Sequence, residues 1–358
     1  MPIQTAIDSI SNSQGSPFGF KNRIINGGMV IDQRNAGASS STTNIYTLDR
    51  WITYTSQSSK FTWGQNLNSV TPPEGFTNYL GVQSSSSYSV SSSDYFVFDQ
   101  CIEGYNVADL GWGQSTAKSV TLSFWVRSSL TGTFGGSVQN SASNRAYGFS
   151  YTINQANTWE KETITIPGDT TGTWLTNNGV GIRLRFGLGV GSSLGNSLGW
   201  QAALGNAPTG SVSVVGTNGA TFYITGVQLE KGTQATSFDY RPYGTELQLC
   251  QRYFYKVDGT DGLSSIGAGM SISTTEGRIA VQYPVKMRAS PTASYSGTIY
   301  ILNTTGAGTT VTSIAANYGG AQGAMIAFGV ASGMTVGAGN LLITASGASN
   351  YFQASAEL

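Results

Sequence analysis

Apolar and polar residues alternate in short runs along most of this chain. In Val120-Thr121-Leu122-Ser123-Phe124-Trp125-Val126-Arg127, the residues Val120, Leu122, Phe124 and Val126 fall on one side of an extended backbone. Thr121, Ser123, Trp125 and Arg127 fall on the other. A period of two is the signature of a strand with one buried face. Residues 162–166 repeat the pattern, and Pro167-Gly168-Asp169 ends it. In 181–186, Ile182, Leu184 and Phe186 share one face while Arg183 and Arg185 take the other. Residues 95–98 and 221–230 read as further strands. Strands separated by Gly, Asn, Ser and Thr turns, with almost no helical periodicity, predict an all-β chain with a jelly-roll β-sandwich over residues 21–243.

One helical signal follows. Thr245 is a candidate N-cap, and Leu247, Leu249, Cys250, Tyr253 and Phe254 give an apolar side, which predicts a linking helix over 244–256 that packs between domains. Residues 257–358 read as a smaller C-terminal β domain. Its strands are expected at 278–285 and 297–302, with a closing hairpin made by 341–346 and 351–356. Small residues dominate 303–340, which predicts a thin core completed by association around a symmetry axis. Residues 1–20 are a polar leader with Ile3, Ile7 and Ile10 at helical spacing, either an attachment segment or a frayed end.

Composition narrows the chemistry. The 358 residues include no histidine, 47 glycines and 10% charged residues. Without imidazole there is no Ser-His-Asp triad, no Cys-His pair and no His-ligated metal. Eighteen basic residues balance 18 acidic ones with no basic stripe, so a phosphate-driven nucleic-acid partner is not expected. So weakly charged a surface is poorly protected against self-association, and an oligomer is expected. No run is long and apolar enough to insert in a membrane, and Met1 to Asp8 carry no secretory signature. Cys101 and Cys250 stand far apart in apolar surroundings and read as two buried thiols. No cofactor is implied. Gly187-Leu188-Gly189-Val190-Gly191 lacks the lysine and the following helix of a phosphate loop. Asp94, Asp99, Glu103 and Asp109 are oxygen ligands that could hold a structural calcium, but they lack calcium-loop spacing, and solvated loop carboxylates are the favoured reading.

Three tryptophans are candidate carbohydrate-binding residues. Trp112 lies between glycines, Trp174 follows the turn-rich 168–173, and Trp200 sits in a Gly/Ser/Asn loop. Sugars stack on exposed rings and hydrogen-bond to nearby amides and carboxylates. The competing reading is that each ring plugs an end of the sandwich. Trp112 and Trp200 are the better candidates for exposure, because no strand period assigns them to a core. Asp49-Arg50-Trp51 reads as a strand start with Trp51 in the core and an Asp49–Arg50 pair beside it.

Three segments also carry a resemblance. The first is Lys21-Asn22-Arg23-Ile24-Ile25-Asn26-Gly27-Gly28-Met29 with Tyr46-Thr47-Leu48-Asp49-Arg50-Trp51. The second runs from Leu122-Ser123-Phe124-Trp125-Val126-Arg127-Ser128 through Asn157-Thr158-Trp159-Glu160 to Gly172-Thr173-Trp174. The third is Phe222-Tyr223-Ile224-Thr225-Gly226-Val227-Gln228-Leu229-Glu230-Lys231-Gly232, then Tyr240-Arg241-Pro242-Tyr243-Gly244 and Cys250-Gln251-Arg252-Tyr253. In this order, over about residues 20–256, the chain resembles a family of bacteriophage virion proteins, mostly tail fibres or receptor-binding proteins of marine and cyanobacterial phages.

The resemblance implies a jelly roll similar to carbohydrate-binding modules, a homotrimeric fibre and a small β tip at the C-terminus. It assigns no catalytic or sugar-contacting residues. The expectation is therefore a non-enzymatic virion protein, a tail fibre assembled in the host cytoplasm and released by lysis. Its partners would be two further copies, other tail or virion proteins through residues 1–20, and host-surface polysaccharide or lipopolysaccharide. A head fibre, a decoration protein or another structural tail component without receptor binding is the structural alternative. A glycan depolymerase is the lesser one: it would need two carboxylates about 5–9.5 Å apart in a groove, and no pair stands out.

Overall fold

The computed structural model describes residues 21–303, 306 and 308–358, so the expected attachment segment at 1–20 lies outside the described residues. The chain divides into two compact units at Tyr243/Gly244.

The first unit contains β1 (Tyr46–Leu48), β2 (Trp51–Thr55), β3 (Phe61–Gln65), β4 (Leu80–Ser84), β5 (Tyr95–Glu103), β6 (Val120–Ser128) and β7 (Gly132–Gln139). It continues with β8 (Ala146–Ile153), β9 (Glu160–Ile166), β10 (Val180–Val190), β11 (Gly195–Asn196), β12 (Gly199–Gln201), β13 (Ala207–Pro208) and β14 (Thr221–Lys231). Strands in the order β1-β2-β5-β10-β7-β8-β12 make one antiparallel sheet, here the front sheet. The order β3-β4-β14-β6-β9 makes the back sheet. The chain passes repeatedly from one sheet to the other, and the result is a jelly-roll sandwich.

The period-two faces do what the pattern requires. Leu122, Phe124 and Val126 of β6 and Ile182, Leu184 and Phe186 of β10 are all buried. The Phe186 ring stacks on Phe98 at 5.0 Å and meets Phe124 edge-on at 5.2 Å, joining the two sheets. Such pairs add about 0.5–1.5 kcal/mol to the burial of the rings themselves.

Residues of the family-like segments tie a middle strand of one sheet to a middle strand of the other. Asn22 donates to Val227 O and accepts from Leu229 N, while Val227 N donates to Gly27 O. Ile25 exchanges two hydrogen bonds with the Gln100 amide, tying this clip to β5. Arg241 donates to the carbonyls of Ile24 and Asn22. Trp51 is fully buried and its indole N–H donates to Asn26 O. Asp49 receives the Gln33 backbone and side-chain amides at 2.7 and 2.6 Å.

After β10 the chain folds over the outer face of the front sheet. β11 and β13 pair in parallel, and β12 joins the sheet edge at β8. Three glycines on that face make room. A Cβ on Gly135 would meet Pro208 at 2.6 Å, one on Gly148 would meet Ser197 O at 2.2 Å, and one on Gly187 would meet Ala207 at 2.7 Å. The run 187–191 is therefore the bulged end of a strand, with its register shift between Gly187 and Gly189.

All but the first residue of α1 (Tyr243–Gln251) belongs to the second unit. The helix starts two residues earlier than Thr245, directly after Pro242, so Thr245 lies inside its first turn and is not the N-cap. It also ends sooner than expected: Phe254 already belongs to β15 (Phe254–Gly259). There follow β16 (Ser265–Ser271), β17 (Glu276–Gln282), β18 (Thr292–Ser296), β19 (Ile299–Leu302), β20 (Gly308–Gly319), β21 (Gly323–Val330), β22 (Gly339–Thr344) and β23 (Gly347–Ser355).

The order β16-β17-β21-β20-β19-β22 closes into a barrel, and β15-β23-β18 form a separate sheet. Two expectations are corrected. β22 and β23 do not form a hairpin, because β23 leaves the barrel and pairs with β15 and β18. Nor is the core of this unit thin among the described residues: Ile326, Phe328 and Val330 alternate into it from β21, beside Ile279, Val281, Ile299, Ile301 and Leu342. Neither Cys101 nor Cys250 forms a disulfide among the described residues, and both are buried.

Candidate functional site

The three candidate tryptophans come together. Trp112 and Trp174 lie 4.7 Å apart, and Trp200 meets them at 5.4 and 5.6 Å, all edge to face. Trp112 is only 7% exposed and Trp174 9%, so the exposure expected of Trp112 is not found; Trp200 is half-buried. Every indole N–H is used internally: Trp112 donates to Lys118 O, Trp200 to Pro167 O, and Trp174 to Asp169 and Thr171 O. Asp169 also takes both arms of Arg145 at 2.8 and 2.6 Å. Burial pushes the Asp169 carboxyl up, but hydrogen bonds from Arg145, Thr171 and Trp174 outweigh it and hold the group below its ordinary range. Arg145 lies over the Trp200 ring at 5.4 Å. Packed against the sandwich core and internally satisfied, the trio acts as a plug, with only Trp200 offering a partly open face.

A different constellation offers a cleft. A groove of about 320 Å³ opens on the outer face of the front sheet, lined by Tyr54, Tyr95, Ser143, Arg183, Arg185, Leu194, Leu204 and Asn206. Period-two alternation puts Ile182, Leu184 and Phe186 in the core and turns Arg183 and Arg185 outward, where the covering loop supplies the facing wall. In register, Arg185 stands opposite Asp99 on β5 and Ser137 on β7. Arg185 grips Asp99 through Nε at 2.7 Å and Nη2 at 2.5 Å, and donates to Asn206 Oδ1. The loop is pinned to the same face by Ser137 donating to Asn206 O and Gln139 donating to Gly205 O.

Tyr54 and Tyr95 are half-buried, and the Arg185 guanidinium lies 6.0 Å from the Tyr54 ring centroid. Burial, reinforced by Cys101 and Asp99, raises the Tyr54 pKa above its ordinary value, so the phenol stays neutral and can donate a hydrogen bond. Aromatic faces beside amide, hydroxyl and guanidinium donors are what a sugar ring requires.

The tyrosines, Asn206 and the two arginines were not among the candidates read from sequence. The available signal was the pair of charged residues on the strand 181–186, whose other face is apolar. The acidic group is corrected as well: Asp94, Asp99 and Glu103 are not solvated but buried, while Asp109 is exposed and pairs with Arg23 and Lys231 at 3.0 and 3.1 Å. Asp94 accepts from Ser56, Tyr88, Gln57 and Ser91 N, which fixes the loop entering β5. No cluster of metal-ligating side chains occurs among the described residues.

No family model matches the sequence, and no curated protein matches it. Among solved structures, the chain is similar to the enzymatically active domain of tailspike protein 4 of bacteriophage CBA120, at 14% identity and TM-score 0.33. That match covers 59% of this chain and only 21% of the tailspike chain, so the chain spans about a fifth of it. It is also similar to the family 11 carbohydrate-binding module of a cellulosomal cellulase of Clostridium thermocellum, at 11% identity and TM-score 0.27, covering 56% of this chain and 98% of that one. A third similar structure is TmCBM61 in complex with β-1,4-galactotriose, at 12% identity and TM-score 0.29, covering 59% and 99%.

Proposed function

We propose that this is a non-enzymatic glycan-binding protein of a bacteriophage virion, a tail fibre that attaches the particle to polysaccharide on the host surface. The groove carries the reading: two half-buried tyrosines face amide and guanidinium donors in a cleft large enough for one or two sugar rings. The family resemblance of residues 20–256 supplies the virion context. Binding without hydrolysis is supported by the state of Asp99, the carboxylate beneath the groove. Arg185 holds both of its oxygens, and a glycosidase needs one carboxyl free to donate a proton and a second to attack or activate water. Each site would bind weakly, and three copies of the chain per fibre would multiply the effect by avidity.

The test is saturable binding of labelled full-length protein to bacterial cells and to their extracted polysaccharide. Tyr54→Ala is expected to abolish it and Trp200→Ala to leave it nearly intact. The reverse result moves the site to the tryptophan trio. Release of oligosaccharides by the native chain refutes the non-enzymatic reading.

A further inference from the structure

We propose that the groove selects an anionic sugar, whose carboxylate or sulfate is received by Arg183 while its ring lies against Tyr54 and Tyr95. The inference rests on the reading of this groove as the glycan site and adds the class of sugar.

Its basis is the balance of charge beneath the groove. Arg183 and Arg185 project from the same face of β10 into one cleft. Asp99 is fully buried, and both its oxygens are taken by Arg185. Arg183 Nε stands 3.7 Å from Asp99 Oδ2, beyond hydrogen-bond range, and makes no hydrogen bond among the described residues. Arg183 Nη1 donates to the Ser143 hydroxyl at 3.1 Å, a neutral partner. The neighbouring titratable groups do not cancel the excess. Burial keeps the Cys101 thiol above its ordinary pKa, and Tyr54 is neutral for the same reason. Two guanidinium groups therefore share one carboxylate, and that carboxylate is committed to Arg185.

Arg183, its side chain 20% exposed, has lost much of its hydration; the Ser143 hydroxyl, the Cys101 thiol and the Asp99 carboxylate at 3.7 Å hold it, but that carboxylate is shared with Arg185, which grips it more closely. An anionic ligand supplies what is missing. The planar guanidinium fork matches carboxylate and sulfate oxygens, and charge-assisted bonds of this kind are about twice as strong as neutral ones. A neutral sugar would stack on the tyrosines equally well but leave Arg183 uncompensated.

The experiment is calorimetric titration of the full chain with polygalacturonate, the same polymer after reduction of its carboxyl groups, a sulfated galactan and a neutral β-glucan. At least one acidic polymer is expected to bind about tenfold or more tighter than the reduced polymer, a difference within reach of one charge-assisted contact. Comparing polygalacturonate with the sulfated galactan tells carboxylate from sulfate. Arg183→Met should erase the preference. Arg183→Lys, which keeps a cation near Asp99 and guards against misfolding of the first variant, should keep part of it.

Equal binding of the acidic and reduced polymers overturns the anionic inference, and leaves the groove reading standing if Tyr54→Ala still abolishes binding. Acidic binding that survives both Arg183→Met and Tyr54→Ala removes both. Binding to none of the four polymers also overturns the inference.

Discussion

Trp112 and Trp200 look alike in sequence, each next to glycine in a polar loop, yet they carry different burdens. Trp112 is wedged between Trp174 and Trp200 with its N–H bound to Lys118 O, so Trp112→Ala should cost about 3–5 kcal/mol in urea unfolding. Trp200→Ala, at a half-buried edge, should cost clearly less; equal losses would contradict the plug. Asp94 makes a pH prediction. Burial raises its pKa, but hydrogen bonds from Ser56, Ser91 N, Tyr88 and Gln57 outweigh that and bring it to about 2, below the ordinary 3.8. A carboxyl depressed in the folded state stabilises the protein above its ordinary pKa, and that contribution fades as pH falls from 3.8 toward about 2. Asp94→Asn should lower the melting temperature at neutral pH and flatten the acid limb in scanning calorimetry; an unchanged acid limb would show that Asp94 does not contribute. Because the chain has no histidine, the proposed affinity for glycan should also stay level between about pH 5 and 8, the range imidazole would govern.

At the scale of elements, strands with a strict period of two were the legible part. β6, β9, β10 and β14 lie where alternation puts them, and β10 even announced the site by pairing three core residues with two arginines. The loop over the front sheet was not legible. Its position depends on close backbone approach at Gly135, Gly148 and Gly187, and a glycine in sequence does not say which neighbour needs the space. The β22–β23 hairpin was misread because a Gly-Ala-Ser-Asn run resembles a turn, whereas Gly347 already begins a strand that pairs elsewhere. The tryptophan plug was half legible: the residue type pointed to an end of the sandwich, but not to three rings meeting there. The loop anchors yield a direct test. Gly148→Ala places a Cβ 2.2 Å from Ser197 O. Hydrogen exchange should then speed up across 195–208 while β5 and β10 keep their protection. Unaltered exchange in the loop would mean that it yields without detaching.

At the scale of the molecule, two β units solve the edge problem in different ways. The sandwich ends its front sheet with the short β12, and the second unit closes six of its strands into a barrel. Several apolar side chains of that unit, Leu263, Met270, Ile272 and Val336, remain exposed. Sedimentation of the full chain is expected to give three copies, with Met270→Glu shifting the distribution toward monomer; a native monomer at high concentration would end the fibre reading. The covering loop has a consequence of another kind. Between the anchors at Trp200 and Gly205, residues 202–204 are exposed and lie outside the sandwich core, while Leu204 lines the groove. Descendants of this sequence could rewrite those positions, and with them one wall of the cleft, without disturbing a single strand. Ancestry would then be written in the sandwich, and, if the groove binds glycan as proposed, the choice of sugar in a few residues draped across it.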